Sequence, residues 1–503
     1  MDQPPRELPH PSAPNQSLDA DKTGLSKSKY LAGLQCPLLL FHKAHSPELF
    51  PGPDAFTQFR FDQGTAAGKL ATGQYVGVTI PAFPIENSVE LTEKAIDQGE
   101  KYIFEAAFNF QEIHVKVDIL VNHGNGHVDI IEVKSSTKVK DEHIDDLAIQ
   151  CFVLEGNDFD VDQIFLMHLN PDYLHPEGSL FTLSDESDAV DERMSDIPEN
   201  LQTMRKVLRA SEPPEIGIGP HCGKPYECVL KPVCWAHVPE LSIFNIPNIR
   251  ANKWEFYSKG LITIDQLPDW FKGKSYQKPF LDACRTGKPV IDKPGLKAFM
   301  AELSEPLYFM DFETMQLAVP IHTGTKPWQQ LTVQWSVHTL KKGKLEHHEF
   351  IQDSEDDPRV PFITSLLDVL GDTGSIIVYN VAFEKGRLEE IAEAFPEHKP
   401  RIDKVIARLW DQYLVFKKFY CDAGFKGSNS LKNVLPVLVP KLSYKDLDVQ
   451  EGGTAMVEYA RMIALPEGEE KQKIKQNLLE YCKLDTLAMV EIHKVLCAGD
   501  LEG

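Results

Sequence analysis

The stretch IHVKVDILVNHGNGHVDIIEVKSS, residues 113–136, decides how the first half of the chain is read. Apolar, mostly β-branched residues recur at a period of two on either side of HGNG, the pattern of strands joined by a tight turn. Asp118 falls on one strand; Glu132 and Lys134, two residues apart, project from one face of the next. Hydrolysis of a phosphodiester by one or two divalent ions needs carboxylates to hold Mg²⁺ or Mn²⁺ and a cation to orient water or offset developing charge. These three residues meet that need, although E-x-K on a strand is also an ordinary surface ion-pair pattern. Working outward, a helix is expected from about Asp145 to Leu154, on which Asp146 and Gln150 share a face, and then a strand in QIFLMHL (163–169). Upstream, helical periodicity begins near Leu25 in LSKSKYLAGLQCPLLLFHKA, with Ser26 or Ser28 as its cap. The acidic segment Leu183–Asn200 reads as a loop or an exposed helix.

A Pro- and Cys-rich stretch, PPEIGIGPHCGKPYECVLKPVCW (213–235), closes this half. Cys222, Cys228 and Cys234 are spaced six apart among Pro and Gly, a spacing that helical burial does not produce. With Cys36 they make four thiolates, enough for a [4Fe–4S] cluster or a tetrahedral Zn²⁺, and His221 and His237 leave a mixed zinc site open. Cys151, Cys284, Cys421, Cys482 and Cys497 stand singly in mostly apolar surroundings and read as small buried hydrophobes.

The second half opens on the apolar run LYFMDFET (307–314), in which Asp311 and Glu313 share one face. Buried acids are costly unless paired or holding a metal. Another strand, SIIVYN, ends at Asn380 and leads into a helix bearing Glu384; Tyr481 and Asp485, four apart in EYCKLDTLAMV, share a helical face. Asp411, in RLWDQYLVF, reads as an exposed helical acid ahead of a supporting acid for this group, and Trp328 and Trp335 as buried aromatics rather than base-stacking platforms.

From about Leu25 to Trp235 the chain resembles the PD-(D/E)xK nuclease superfamily, and within it the RecB-type and CRISPR-associated exonucleases, with one cysteine before the nuclease core and three after it. The resemblance implies that Asp118 and Glu132 hold the metal, that Lys134 and Gln150 complete the catalytic set, and that Cys36, Cys222, Cys228 and Cys234 bind a [4Fe–4S] cluster acting as a staple. QGTAAGKLATG (63–73) lacks the histidine that members often carry on an early helix. From about Pro306 to Leu496 the motifs DFE, NVAFE and YCKLD resemble, in order, those of the DEDD or DnaQ-like 3′–5′ exonucleases of the ribonuclease H-like fold. That resemblance implies a two-metal centre of Asp311, Glu313, Glu384 and Asp485, with Tyr481 orienting the attacking water. Glu384 stands where that family has Asp.

The expected architecture is α/β (α+β): a leader over residues 1–24 without fixed structure, a restriction-endonuclease-like domain over 25–240, a helical connector over 241–303 and a ribonuclease H-like domain over 304–503. No apolar run reaches the length of a membrane span, and the Pro-, Ser- and Asp-rich start is not a signal peptide, so a cytoplasmic protein is expected, with thiols reduced. The expected function is metal-dependent hydrolysis of nucleic acid, DNA ahead of RNA, in repair, recombination or defence. A net charge of −23 confines any such binding surface to a local basic groove. Two alternatives stand beside it: one site has decayed into a binding module, or the chain is a non-enzymatic iron–sulfur or zinc scaffold.

Overall fold

In the computed structural model, which describes residues 24–82, 84–445 and 447–498, the stretch 113–136 forms two antiparallel strands of a mixed α/β chain. Apart from Gly24, the leader read over 1–24 lies outside the described residues. The chain divides into two units, residues to Ala236 with Ala318–Pro327, and His237–Leu317 with Trp328 onward. The segment 241–303, expected as a connector, therefore belongs to the second unit, and residues 318–327 to the first.

The first unit is built on a sheet of β1 (Leu25–Ser26), β2 (Val78–Thr79), β3 (Tyr102–Phe110), β4 (Ile113–Gly124), β5 (His127–Lys134), β6 (Asp160–Leu169) and β7 (Phe181–Asp185). Its order is β2-β3-β4-β5-β6-β7, with β1 added against β4. Gly124, Asn125 and Gly126, at φ of 84°, 53° and 85°, make the β4–β5 turn, in a region that Gly and Asn enter at least cost. β5 and β6 are parallel and therefore need a crossover, supplied by the largely buried helix Asp141–Glu155. β3 holds one edge of β4 from Ile113 onward, while β5 pairs with it only from Ile119. β1 takes the free part of that second edge, setting Leu25 opposite Ile113. The helix Lys27–Gln35 follows at once, capped by Ser26. The stretch 183–200 is more regular than expected: it finishes β7 and carries the helix Ser187–Met194 and the start of Ile197–Arg209.

The second unit contains β8 (Val290–Ile291), β9 (Leu307–Met315), β10 (Leu331–Lys341), β11 (Lys344–Ile351), β12 (Ser375–Val378), β13 (Leu409–Asp411) and β14 (Tyr420–Cys421). The main sheet runs β11-β10-β9-β12-β13, antiparallel on the β10 side of β9 and parallel on the other; β8 pairs with β14. Alternation on β9 separates two cores. Tyr308, Met310 and Phe312 pack with Phe362 and Leu366 of the helix Arg359–Val369 and Leu388 of Ala382–Ala394. Leu307 and Phe309 pack with Ala488, Met489 and Ile492 of the C-terminal helix Glu469–Cys497. Asp311 and Glu313 continue this second face beneath that helix. Trp335 is buried in β10 beside Phe350. Among the described residues no helix is long and apolar enough to cross a membrane.

Candidate active sites

The first acidic centre is assembled by three elements. Register sets Asp118 of β4 across from Glu132 of β5, and the crossover helix brings Asp146 and Gln150 over them. Glu132 Oε1 accepts from Lys134 Nζ at 2.6 Å and from Lys27 Nζ at 3.0 Å. The same two ammonium groups reach Asp146, Lys134 at 2.6 Å and Lys27 at 3.1 Å. Gln150 Nε2 donates to Glu132 Oε2 at 2.9 Å, and Asp118 Oδ2 accepts from the Val133 amide at 2.7 Å.

Burial alone would raise the Glu132 carboxyl, but Lys134 and Lys27 outweigh it and hold the group below the usual carboxylate range. Among the described residues no ion pair reaches Asp118: burial and the neighbouring Glu132 push it up to about 7. His143, on the same crossover helix, is pushed down to about 4 by burial and by Lys134, and its Nδ1 is enclosed without a hydrogen-bond partner. Asp118, Glu132, Lys134 and Gln150, all singled out from sequence, thus lie together. Lys27 and His143 were not foreseen. Lys27 precedes Glu132 by 105 residues, and only the pairing of β1 with β4 links them.

Cys36, Cys222, Cys228 and Cys234 line one cavity, with His221 and the apolar Leu38, Leu39 and Ile218. None is in a disulfide. Cys36 precedes the helix Pro37–His45, and its neighbour Gln35 fastens the cysteine loop by donating to the carbonyls of His221 at 2.9 Å and Tyr226 at 2.8 Å. His237 instead bonds the Tyr257 hydroxyl at 2.9 Å. No three of the four sulfurs lie within 4.8 Å of one another, since the groups of three that close among the described residues are His123–Asp129–Asp162 and Asp311–Glu313–Cys482.

The second acidic centre lies where the parallel strands β9, β12 and β13 end. Phe309, Ile377 and Trp410 are in register, so Asp311, Asn380 and Asp411 follow at one edge of the sheet. Asp411 is buried on β13, which corrects the reading of an exposed helical acid: its Oδ1 accepts from the amides of Asn380 at 2.9 Å and Tyr413 at 3.1 Å. Asn380 has φ of 78°, where Asn is tolerated, and turns the chain into the helix that carries Glu384.

Tyr481, Cys482 and Asp485 descend from the C-terminal helix. Cys482 Sγ lies 3.7 Å from Asp311 Oδ2, and Asp485 Oδ1 accepts from the Tyr444 hydroxyl at 2.5 Å. Burial raises Asp311 and Glu313 well above the carboxylate range, with repulsion from Asp485 adding to it at Asp311 and from Asp311 at Glu313; burial and then Asp311 do the same to Glu384. Burial pushes Asp485 up to about 6. Among the described residues no ion pair reaches any of the four, and Glu384 Oε2 is enclosed without a hydrogen-bond partner. Cys482 and Tyr444 were missed, the one read as a plain buried thiol and the other in a loop without periodicity. Cys497 is exposed rather than buried.

Residues 308–430 match a family described as a domain of unknown function, DUF2779, a span that includes Asp311, Glu313, Glu384 and Asp411. The chain is similar to the uncharacterized protein MG366 homolog of Mycoplasma pneumoniae, 29% identical over 236 residues covering 42% of this chain and 35% of the relative. It is also similar to the uncharacterized protein MG366 of Mycoplasma genitalium, 27% identical over 245 residues covering 44% and 36%. The chain thus spans about a third of the length of the curated relatives it matches. Among solved structures, the crystal structure of SSO0001 is 15% identical with a TM-score of 0.21, covering 44% of this chain and 89% of that one.

Proposed function

We propose that the chain is a metal-dependent nuclease that hydrolyses phosphodiester bonds, DNA ahead of RNA, in the cytoplasm and in repair, recombination or defence. The observation that carries this reading is the second centre: four carboxylates from three elements of the fold, Glu384 and Asp485 buried and Asp311 and Glu313 half-buried, all raised by desolvation and repulsion, with no ion pair among the described residues. Isolated buried acids are strongly unfavourable, and an oxygen-rich set of this kind suits Mg²⁺ or Mn²⁺. The enclosed Glu384 Oε2 fits the same role. Bound ions supply activation of water and stabilisation of the leaving oxygen. Asp311, Glu313, Glu384 and Asp485 would hold them, Tyr481 would orient the water, and Tyr444 fixes Asp485. A central strand with an antiparallel neighbour on one side and parallel strands on the other supports a ribonuclease H-like assignment of the second unit.

In the first unit, Asp118 and Glu132 supply carboxylates for a divalent ion, and Lys134 offers the cation. The β5–helix–β6 crossover supports a PD-(D/E)xK-like assignment. The cysteine cavity suits a [4Fe–4S] cluster better than zinc. A tetrahedral Zn²⁺ with bonds of about 2.3 Å needs thiolates about 3.8 Å apart, whereas no three of these sulfurs lie within 4.8 Å of one another. A second reading applies to this unit alone: Lys27 and Lys134 already neutralise Glu132 and Asp146, which favours a dormant centre that binds nucleic acid.

The deciding experiment incubates anaerobically purified protein with end-labelled single- and double-stranded DNA and RNA in Mn²⁺ and in EDTA, for wild type, Glu132→Ala, Asp311→Ala and the double variant. Partial loss in each single variant and complete loss in the double is expected. Unchanged cleavage in Glu132→Ala selects the second reading for the first unit, and no metal-dependent cleavage by wild type rejects the nuclease.

A further inference from the structure

At the turn end of the β4–β5 hairpin, His123, Asp129 and Asp162 each present a ligating atom within 4.8 Å of the other two. His123 Nε2 lies 2.8 Å from Asp129 Oδ2. His127 Nδ1 lies 3.0 Å from Asp162 Oδ1 and so stands at the rim of the same group. Separations of about 2.9 Å are those of ligand atoms at right angles around a six-coordinate ion bound at about 2.0–2.1 Å, and are shorter than the edge of a tetrahedral site. Two irregularities of the sheet produce the cluster. The β4–β5 register shifts between Asn122 and Gly124, beside His123, and the β5–β6 register shifts between Val128 and Asp129, opposite the extra residue Asp162. Bulges of this kind re-aim side chains and gather beside functional sites.

Asp129 is the group that points to a ligand. It is 8% exposed, and its Oδ1 is fully enclosed with no hydrogen-bond partner. A buried carboxylate oxygen is ordinarily satisfied, and a cation among these donors would satisfy it. Asp129 and Glu132 are three residues apart on β5 and project from opposite faces, so this cluster is separate from the first acidic centre.

We propose that His123, Asp129 and Asp162, with His127 in reach, bind a divalent first-row transition-metal ion that clips the β4–β5 turn to the start of β6. Imidazole beside carboxylate selects ions such as Zn²⁺, Co²⁺ or Mn²⁺ over Mg²⁺.

The test titrates the full chain with Co²⁺ and follows its visible spectrum, in which oxygen and nitrogen ligation lacks the sulfur charge-transfer band of a cysteine site. Wild type is expected to take up one equivalent without that band beyond those held by the two acidic centres, and the Glu132→Ala/Asp311→Ala double variant, which removes both centres, is expected to keep it. It should be absent in His123→Gln and in Asp162→Asn, the latter a half-exposed position whose change leaves the core untouched. Wild-type stoichiometry in both His123→Gln and Asp162→Asn overturns the site. So does absence of that equivalent in the Glu132→Ala/Asp311→Ala double variant, which would assign the ion to the acidic centres.

Discussion

Around Glu132 the chain sets two ammonium groups within 3.0 Å, whereas around Asp311 four carboxylates meet without an ion pair among the described residues. Both clusters are buried and acidic, and they differ in where the compensating charge comes from. In the first it is built into the chain, so the centre is held together by its own ion pairs and an arriving divalent ion must compete with Lys27. In the second the carboxylates are raised toward protonation, so an arriving ion displaces protons rather than ammonium groups. Carboxylates alone therefore do not describe an acidic site; the sign of the shift at each one does.

The comparison is sharpened most by removing one acid from each centre in EDTA. Glu132→Gln leaves Lys27 and Lys134 under-compensated in a buried setting and is expected to lower stability by about 3–5 kcal/mol. Asp311→Asn relieves repulsion and is expected to leave stability unchanged or raised. Chemical denaturation of both variants measures the pair, and equal losses would dissolve the distinction.

A smaller effect comes from pH. Asp485 is raised by folding, so its contribution is present in full below the ordinary carboxylate range and is lost as pH rises through about 6. Glu132 is lowered, so its contribution is present above that range and lost as pH falls below it. In EDTA, the stability difference between wild type and Asp485→Asn should therefore shift by about 2 kcal/mol against wild type between pH 4 and pH 7. A pH-independent difference would mean that Asp485 is not raised. The smallest effect is local: Asn380→Ala removes a side chain that tolerates positive φ better than Ala does and should cost up to about 1 kcal/mol, equally in metal-free and metal-bound protein.

Much of both centres was legible because strand alternation and helical spacing put residues of one site a few positions apart. Glu132 and Lys134, Asp311 and Glu313, and Tyr481 and Asp485 are pairs of that kind. The residues that were missed arrive by another route. Lys27 depends on a two-residue strand too short to show a period, and Tyr444 reaches Asp485 from an irregular loop. Asp411 was misread because β13 has only three residues and its flanks look helical. The pairings expected from the cysteines needed no periodicity, since their spacing excluded helical burial, but Gln35, which fastens their loop, carries no signal of its own.

The attachment of β1 to β4 also fixes an order of events during synthesis. Lys27 emerges before its partners Glu132 and Asp146, which follow more than a hundred residues later, and Gln35 waits 186 residues for the carbonyl of His221. Closing such long loops slows folding, and until then the lysine and the first cysteine are exposed on a nascent chain. The β1 strand and the helix after it are thus made before their partners and reach their place only once those partners have followed.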